Sequence, residues 1–239
     1  MSKSLLSIVI PLAKGEGQWQ RLCQNFDLLP GGSEIIFVAA EGDYVGKQLA
    51  NLKQGFPRLS WQLTYSPQGR GIQLNKGAAL ASLPFIWFLH ADSQITQDNI
   101  KALLKCLSDR DSQNSLFYFD LYFCDKASWL LKTNEMGAKF RSNVLGLPFG
   151  DQGFFLAKET FNTLGGYIED APYGEDHLLV WQAKQLGVKL RRCPSQLATS
   201  ARKYQHHGWC SLTLKYQYLW PKQAIPQLVK LIRIKLSLI

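Results

Sequence analysis

The sequence predicts an α/β fold, a mostly parallel central sheet flanked by helices, with a basic amphipathic helical extension at the C-terminus. Three observations carry this expectation. Apolar runs of strand length, at Leu5–Pro11, Glu34–Ala40 and Pro84–Leu89, are separated by segments whose apolar residues recur at helical spacing. These runs are apolar almost throughout, the pattern of strands covered on both faces. Polar residues also gather directly after such a run: Pro84–Ser93, PFIWFLHADS, ends abruptly in His90, Ala91, Asp92 and Ser93. Parallel sheets place their ligand crevice at the carboxyl ends of strands, so Asp92 is a candidate for binding metal or phosphate. The alternative is a turn in which Asp92 caps the following helix.

The 239 residues suit one large α/β domain with an extension. Hydrophobic residues at 46% and charged residues at 19% exclude a disordered or low-complexity chain. The five cysteines, Cys23, Cys106, Cys124, Cys193 and Cys210, are scattered and lack CxxC spacing. This points to reduced thiols in a cytosolic setting, and away from a disulfide framework or a zinc cluster. A net charge of +9 suits an anionic partner, and charge alone leaves a nucleotide diphosphate, nucleic acid and a membrane surface open. No groove-reading or aromatic RNA-binding motif accompanies it, so no nucleic-acid partner is expected. The apolar stretch of the opening MSKSLLSIVIPL is too short to span a bilayer and lacks a signal cleavage site; it reads as the first buried strand.

Taken in order, Leu5–Pro11 is that strand, and Glu16–Leu28 carries Trp19, Leu22, Cys23 and Phe26 at helical spacing until Pro30 and two glycines stop it. Glu34–Ala40 completes a β-α-β opening with a right-handed crossover. Asp43 can cap a helix over Tyr44–Leu52, and Leu59–Tyr65 is the third strand. Gly69–Ala81, GRGIQLNKGAALA, starts as a basic glycine loop and becomes a small-residue helix. Its free N–H groups and Arg70 suit an anion, or else form a glycine turn with a solvated arginine. The spacing is not that of a P-loop.

Gln97–Leu107 is an amphipathic helix, Ser115–Cys124 a strand and Trp129–Leu145 a helix carrying Lys132, Lys139 and Arg141. Gly150, Asp151, Gln152 and Gly153 introduce the strand Phe154–Ala157, as either a tight turn or a binding corner. Phe161–Tyr173 reads as loop-rich. Glu175 and Asp176 then open a helix that ends at Gly187, and their presence in its first turn is explicable by the helix dipole alone. Val188–Arg192 is the last strand, leaving at Pro194. In the tail, Leu228, Leu231, Ile232 and Leu236 form one stripe among Lys230, Arg233 and Lys235, which suits either an anionic membrane surface or packing against protein. His206 and His207 lack the spacing of a paired metal site.

The order of these pieces resembles the family 2 glycosyltransferases of GT-A, Rossmann-like fold, over about residues 5–205. It is closest to a bacterial subgroup described as selenodomain-associated, whose pattern includes GRxxQxNxGA, LHADT, GDQG and ED. Here these are Gly69, Arg70, Gln73, Asn75, Gly77 and Ala78; Leu89–Ser93; Gly150–Gly153; and Glu175–Asp176.

The resemblance implies an inverting, metal-dependent transferase that moves a sugar from a nucleotide-sugar donor to an acceptor hydroxyl. It implies Mg²⁺ or Mn²⁺ on Asp92, with His90 beside it, bridging the donor diphosphate. Arg70, Asn75, Glu16 and Asp43 would hold the donor and its phosphates, and Asp151 and Gln152 the sugar or acceptor. Asp176 would be the catalytic base, supported by Glu175. The expected organisation is a transferase domain over 1–205 and a helical extension over 206–239, in a cytoplasmic protein touching the inner membrane face through that extension.

Two positions depart from the family pattern. Ala39 stands where an acid usually holds the ribose, and His90 stands at the first acid of the common DxD signature. They motivate an alternative, a catalytically degenerate nucleotide- or sugar-binding protein of the same fold.

Overall fold

In the computed structural model, which describes residues 5–124 and 128–237, the chain alternates strands and helices from its first element. β1 (Leu6–Leu12), α1 (Trp19–Cys23), β2 (Glu34–Ala40), α2 (Gly46–Lys53), β3 (Ser60–Ser66), α3 (Arg70–Leu80) and β4 (Phe85–Phe88) make the first half. The second half comprises α4 (Gln97–Leu107), β5 (Ser115–Phe123), α5 (Trp129–Asn143), β6 (Phe155–Ala157), α6 (Lys158–Leu164), α7 (Glu175–Gln185), β7 (Lys189–Thr199), α8 (Arg202–His207) and α9 (Trp209–Leu236). The seven strands form one sheet in the order β3-β2-β1-β4-β6-β5-β7. Pairing is parallel except around β6, which runs antiparallel to both β4 and β5.

All seven residues of β1 and of β2 are buried. Alternate side chains supply two cores, one on each face of the sheet. Ile8, Ile10 and Phe37 pack with Trp19, Phe26 and Trp87 on one side. Val9, Ile36 and Val38 pack with α3, α7 and Ala224 of α9 on the other. This is why those runs read as continuous rather than alternating hydrophobicity. The close seat of α3 depends on Gly77, where a Cβ would overlap Val9 Cγ1.

Several local expectations are corrected. The helix foreseen over Glu16–Leu28 is only α1 followed by a 3₁₀ turn at Phe26–Leu28, because Asn25 leaves the helical region. The tighter turn still delivers Phe26 to Phe56 and Trp61. Asp43 does not cap α2, whose N-cap is Val45; its carboxylate accepts from Tyr44 N (2.9 Å) and Gly15 N (3.2 Å), tying together the loops after β1 and β2. The passage expected to be loop-rich begins with α6, closed by Gly165 at φ +84°. β7 passes Pro194 and continues to Thr199, with a register shift against β5. It lies at the sheet edge, where a missing N–H is tolerated. α9 is longer than the stripe suggested and contains Pro221 and Pro226.

A candidate active site at the carboxyl edge of the sheet

Beyond β4 the chain turns at His90–Ser93, and α4 begins only at Gln97. Thr96 is the N-cap of α4, in a capping box with Asn99, so Asp92 is not the cap. His90 and Asp92 instead line a cavity of about 490 Å³, together with Arg70, Asp151 and Asp176. The cavity reaches out between α5 and α9, which contribute Phe140, Arg141, Tyr216, Trp220 and Gln223 to its walls, with Leu145 just beyond α5.

Each acid in the cavity has a different environment. Asp176 lies in the first turn of α7, where the helix N-terminus favours a negative charge. Burial acts to raise its pKa, but Arg70 and the N–H groups of Gly150 (2.6 Å) and His177 (2.8 Å) outweigh it and hold the carboxyl below its ordinary range. Gly150 is what admits this contact, since a Cβ there would lie 2.8 Å from Asp176 Oδ2. Glu175 pairs with Arg70 Nε and is absent from the cavity wall. Arg70 Nη2 lies 3.7 Å from Asp176 Oδ2.

Asp151 and Asp92 contrast with this pair. Burial raises the pKa of Asp151 against the pull of Arg141, and its Oδ1 is buried without a hydrogen-bond partner. Burial likewise raises the pKa of Asp92, opposed by Lys203. Among the described residues, no other residue donates a hydrogen bond to the Asp92 side chain or forms an ion pair with it. Burial and the neighbouring Arg70 and Lys203 push His90 down to about 3, so its imidazole is neutral at physiological pH.

The other residues singled out from the sequence are not brought to the cavity wall. Gln152 is fully buried; its amide donates to Phe119 O (2.7 Å) and accepts from Ser142 Oγ (2.7 Å) and Phe149 N (3.0 Å). Asn75 clamps the backbone of Tyr167, donating to its O and accepting from its N, both at 2.8 Å. Gln73, of the same motif, ties the ends of β1 and β2 through Leu12 O and Val38 O, each at 2.8 Å. Glu16 accepts from Arg202 Nη2 (2.9 Å) and from Gln18 N (2.8 Å). Ala39 is fully buried in the core, so the place of the expected acid is filled by packing.

Lys203, Tyr204 and His177 also line the cavity, and the sequence carries no signal for the first two. Arg141, which in the sequence is only a helix cation, stacks 3.4 Å over the Phe149 ring and donates to Leu147 O (2.9 Å). The side chains of His206 and His207 lie outside the described residues.

Among the described residues, no group of three or more His, Cys, Asp and Glu is placed to hold a metal ion by itself. Mg²⁺-type cations take one or two carboxylates and complete their shell with phosphate oxygens and water. The carboxylate of Asp92, which no other described residue engages, fits that role, with the neutral imidazole of His90 on the same wall.

Residues 21–163, more than half of the chain, match the model of glycosyl transferase family 2. No curated protein matches the chain in sequence. In fold it is similar to the mannosyltransferase PcManGT from Pyrobaculum calidifontis, solved with GDP-Man and Mn²⁺. The TM-score is 0.71 at 14% identity, covering 96% of this chain and 68% of that one. It is also similar to residues 1–349 of TarS from S. aureus (TM-score 0.63, 12% identity, 82% of this chain and 60% of that one). The same TarS fragment with UDP-GlcNAc gives a TM-score of 0.65 at 12% identity, over 83% of this chain and 59% of that one. The chain thus spans about six-tenths of the TarS fragment. At these identities the likeness speaks for the fold, which is the GT-A arrangement of a mostly parallel sheet between helices. With the family model running from within α1 to within α6 and including the strand end that carries Asp92, the chain belongs to glycosyl transferase family 2.

Proposed function

We propose that the protein is an inverting, metal-dependent glycosyltransferase that moves a sugar from a nucleotide-sugar donor to an acceptor hydroxyl. The observation that carries this reading is the meeting of Asp92, Asp151 and Asp176 in one cavity at the carboxyl edge of the sheet. The similar structures hold GDP-Man with Mn²⁺ and UDP-GlcNAc, which supports a donor of that class.

In this reading Asp92, with His90, would hold Mg²⁺ or Mn²⁺. The cation would supply charge neutralisation for the departing nucleoside diphosphate. Asp176 is ionised at neutral pH and faces the cavity, so it accepts the proton of the acceptor hydroxyl as that oxygen bonds to the anomeric carbon. The bond from that carbon to the diphosphate breaks on the opposite side and its electron pair leaves with the nucleotide. Glu175 acts through Arg70, whose charge it shares with Asp176. Asp151 offers its free Oδ1 to a hydroxyl of sugar or acceptor. Arg70 lies on the cavity wall where it can meet phosphate, while Glu16 and Asp43 brace the loops on the nucleotide side and Asn75 and Gln152 shape the backbone behind the cavity. The reading includes a transferase domain over 1–205 with a helical extension over 206–239, a cytoplasmic setting, and peripheral contact with the inner membrane face through that extension.

Nucleotide release measured over a panel of donors with Mn²⁺ tests it. Asp92→Ala is expected to lose roughly 100-fold or more of turnover. Turnover equal to that of the unmodified protein removes the metal role.

A second reading, a nucleotide- or sugar-binding protein without transfer, is favoured by buried Ala39 and by the engagement of Glu16 with Arg202. Calorimetric titration with nucleoside diphosphates, with and without metal, separates the two. Metal-dependent binding with no release from any donor supports the second.

A further inference from the structure

We propose that α5 and α9 together form a docking surface for an anionic lipid bilayer, which brings the α5 wall of the cavity to the membrane. This extends the peripheral contact above from one helix to two, and it does not depend on the transferase reading.

On α9, Leu214, Tyr218, Ile225, Val229, Ile232 and Leu236 recur every three, four or seven residues and so share one face. They are between 44% and 70% exposed. The opposite side of the helix packs on the domain through Ala224, Trp220 and Leu231. On α5, Trp129, Met136 and Phe140, followed by Val144, make a second stripe by the same spacing, 58% to 73% exposed.

Lys132 and Lys139 accompany the stripe on α5, whose one acid, Glu135, is engaged by Phe123 N of the domain, and Lys215, Lys222, Lys230 and Arg233 are among the cations of α9. α9 contains no Asp or Glu. A second copy laid on this face would bring like charges together, whereas an anionic lipid surface is complementary to it. α9 is not apolar enough to cross a membrane, since among the described residues no helix is. Apolar residues on a basic helix that cannot span suit a helix lying in the interface.

The α5 stripe meets the site: its Phe140 lines the cavity while remaining 58% exposed, whereas the cavity-lining Tyr216, Trp220 and Gln223 lie on the side of α9 turned away from its stripe. The N-terminal parts of the helices also touch, through Trp209 Nε1 to Leu130 O at 3.0 Å. A bilayer that accepts the α5 stripe therefore reaches the edge of the cavity at Phe140, and an acceptor enters there from the membrane side.

Flotation of the full chain with vesicles tests this. The protein is expected to float with phosphatidylcholine vesicles containing phosphatidylglycerol, and not with phosphatidylcholine alone. Two paired variants, Trp129→Glu with Met136→Glu on α5 and Ile225→Glu with Ile232→Glu on α9, should each lower the bound fraction at least about tenfold. Their thermal midpoints should be unchanged, because all four side chains are exposed.

Failure of the unmodified protein to float overturns the proposal. Binding unchanged in the α5 pair overturns the two-helix surface and the placement of the cavity. A dimer in gel filtration that the α9 pair converts to monomer, without vesicle binding, assigns the face to a second copy instead. Flotation does not read catalysis, so a protein that floats but transfers no sugar defeats the transferase reading and leaves this surface standing.

Discussion

The loops after β1 and β2 and the cavity beyond β4 lie along the same edge of the same sheet, yet they use polar side chains in opposite ways. In the loops Asp43 is bonded to two backbone N–H groups and Glu16 to Arg202 and Gln18, and Gln73 of α3 is bonded to the two strand ends beside them. In the cavity Asp151 Oδ1 is buried without a partner, and Asp92 receives no bond from another described residue. A buried polar atom without a partner costs stability, so its retention points to a group that arrives with a ligand. Substitutions in the cavity should therefore cost activity without stability, and substitutions in the braced positions should cost stability first.

Asp176 tests that division most severely because it belongs to both classes, lining the cavity while accepting two backbone N–H groups. Asp176→Asn keeps the shape but removes the basic oxygen. Turnover is expected to fall by roughly 10²–10⁴-fold. A fall no larger than that of Glu175→Gln would move the base elsewhere. Next in size is Asn75→Ala, which leaves both the N–H and the C=O of Tyr167 without their partner. A loss of about 2 kcal/mol in denaturant unfolding is expected, with turnover at saturating donor kept. Loss of turnover at unchanged stability would place Asn75 with the cavity residues.

Asp151→Asn should do the reverse. It removes a carboxylate whose burial is only partly offset by Arg141, so the thermal midpoint at neutral pH should rise while transfer falls. A fall in midpoint would mean that the pairing with Arg141 outweighs the burial, and would break the contrast.

How much of this was legible follows from what a side chain does with its bonds. β1, β2, β4 and β5 could be read because strands buried on both faces leave nothing but hydrophobicity to see. β6 is three residues long, and no pattern of that length reveals that it runs against its neighbours. α6 was hidden because its buried apolar residues are only Phe161 and Leu164, next to two glycines. In the site, Asp92, Asp151 and Asp176 were legible because each follows a strand end or a glycine turn. Asn75 and Gln152 looked equally available, but their amides are used on backbone groups of Tyr167 and Phe119, distant in sequence. Lys203, Tyr216 and Gln223 carried no signal, since nothing in a tail's periodicity tells which edge of the sheet it returns to.

The smallest effect, and the one that joins the two regions, belongs to His177. It lines the cavity but is bonded like a loop residue. The indole of Trp181 can only donate, so its 3.0 Å contact makes His177 Nε2 an acceptor and leaves the ring proton on Nδ1, 2.8 Å from Gln223 Oε1. Gln223 in turn donates to Tyr173 O (2.8 Å), which fastens α9 to the loop before α7. A second proton on Nε2 would point at the Trp181 N–H, and burial accordingly lowers the pKa of His177. The unfolded chain then binds a proton near about pH 6.5 that the folded chain refuses, so this contribution is full above that pH and is lost as the solution is acidified toward the lowered folded value. The thermal midpoint should therefore drop more between about pH 7.5 and about pH 5.5 in the unmodified protein than in His177→Gln. Parallel curves would show that the α7–α9 seam is indifferent to this proton. A steeper curve for the unmodified protein would show that a side chain on the cavity wall is held, as in the loops, by bonds already made within the fold.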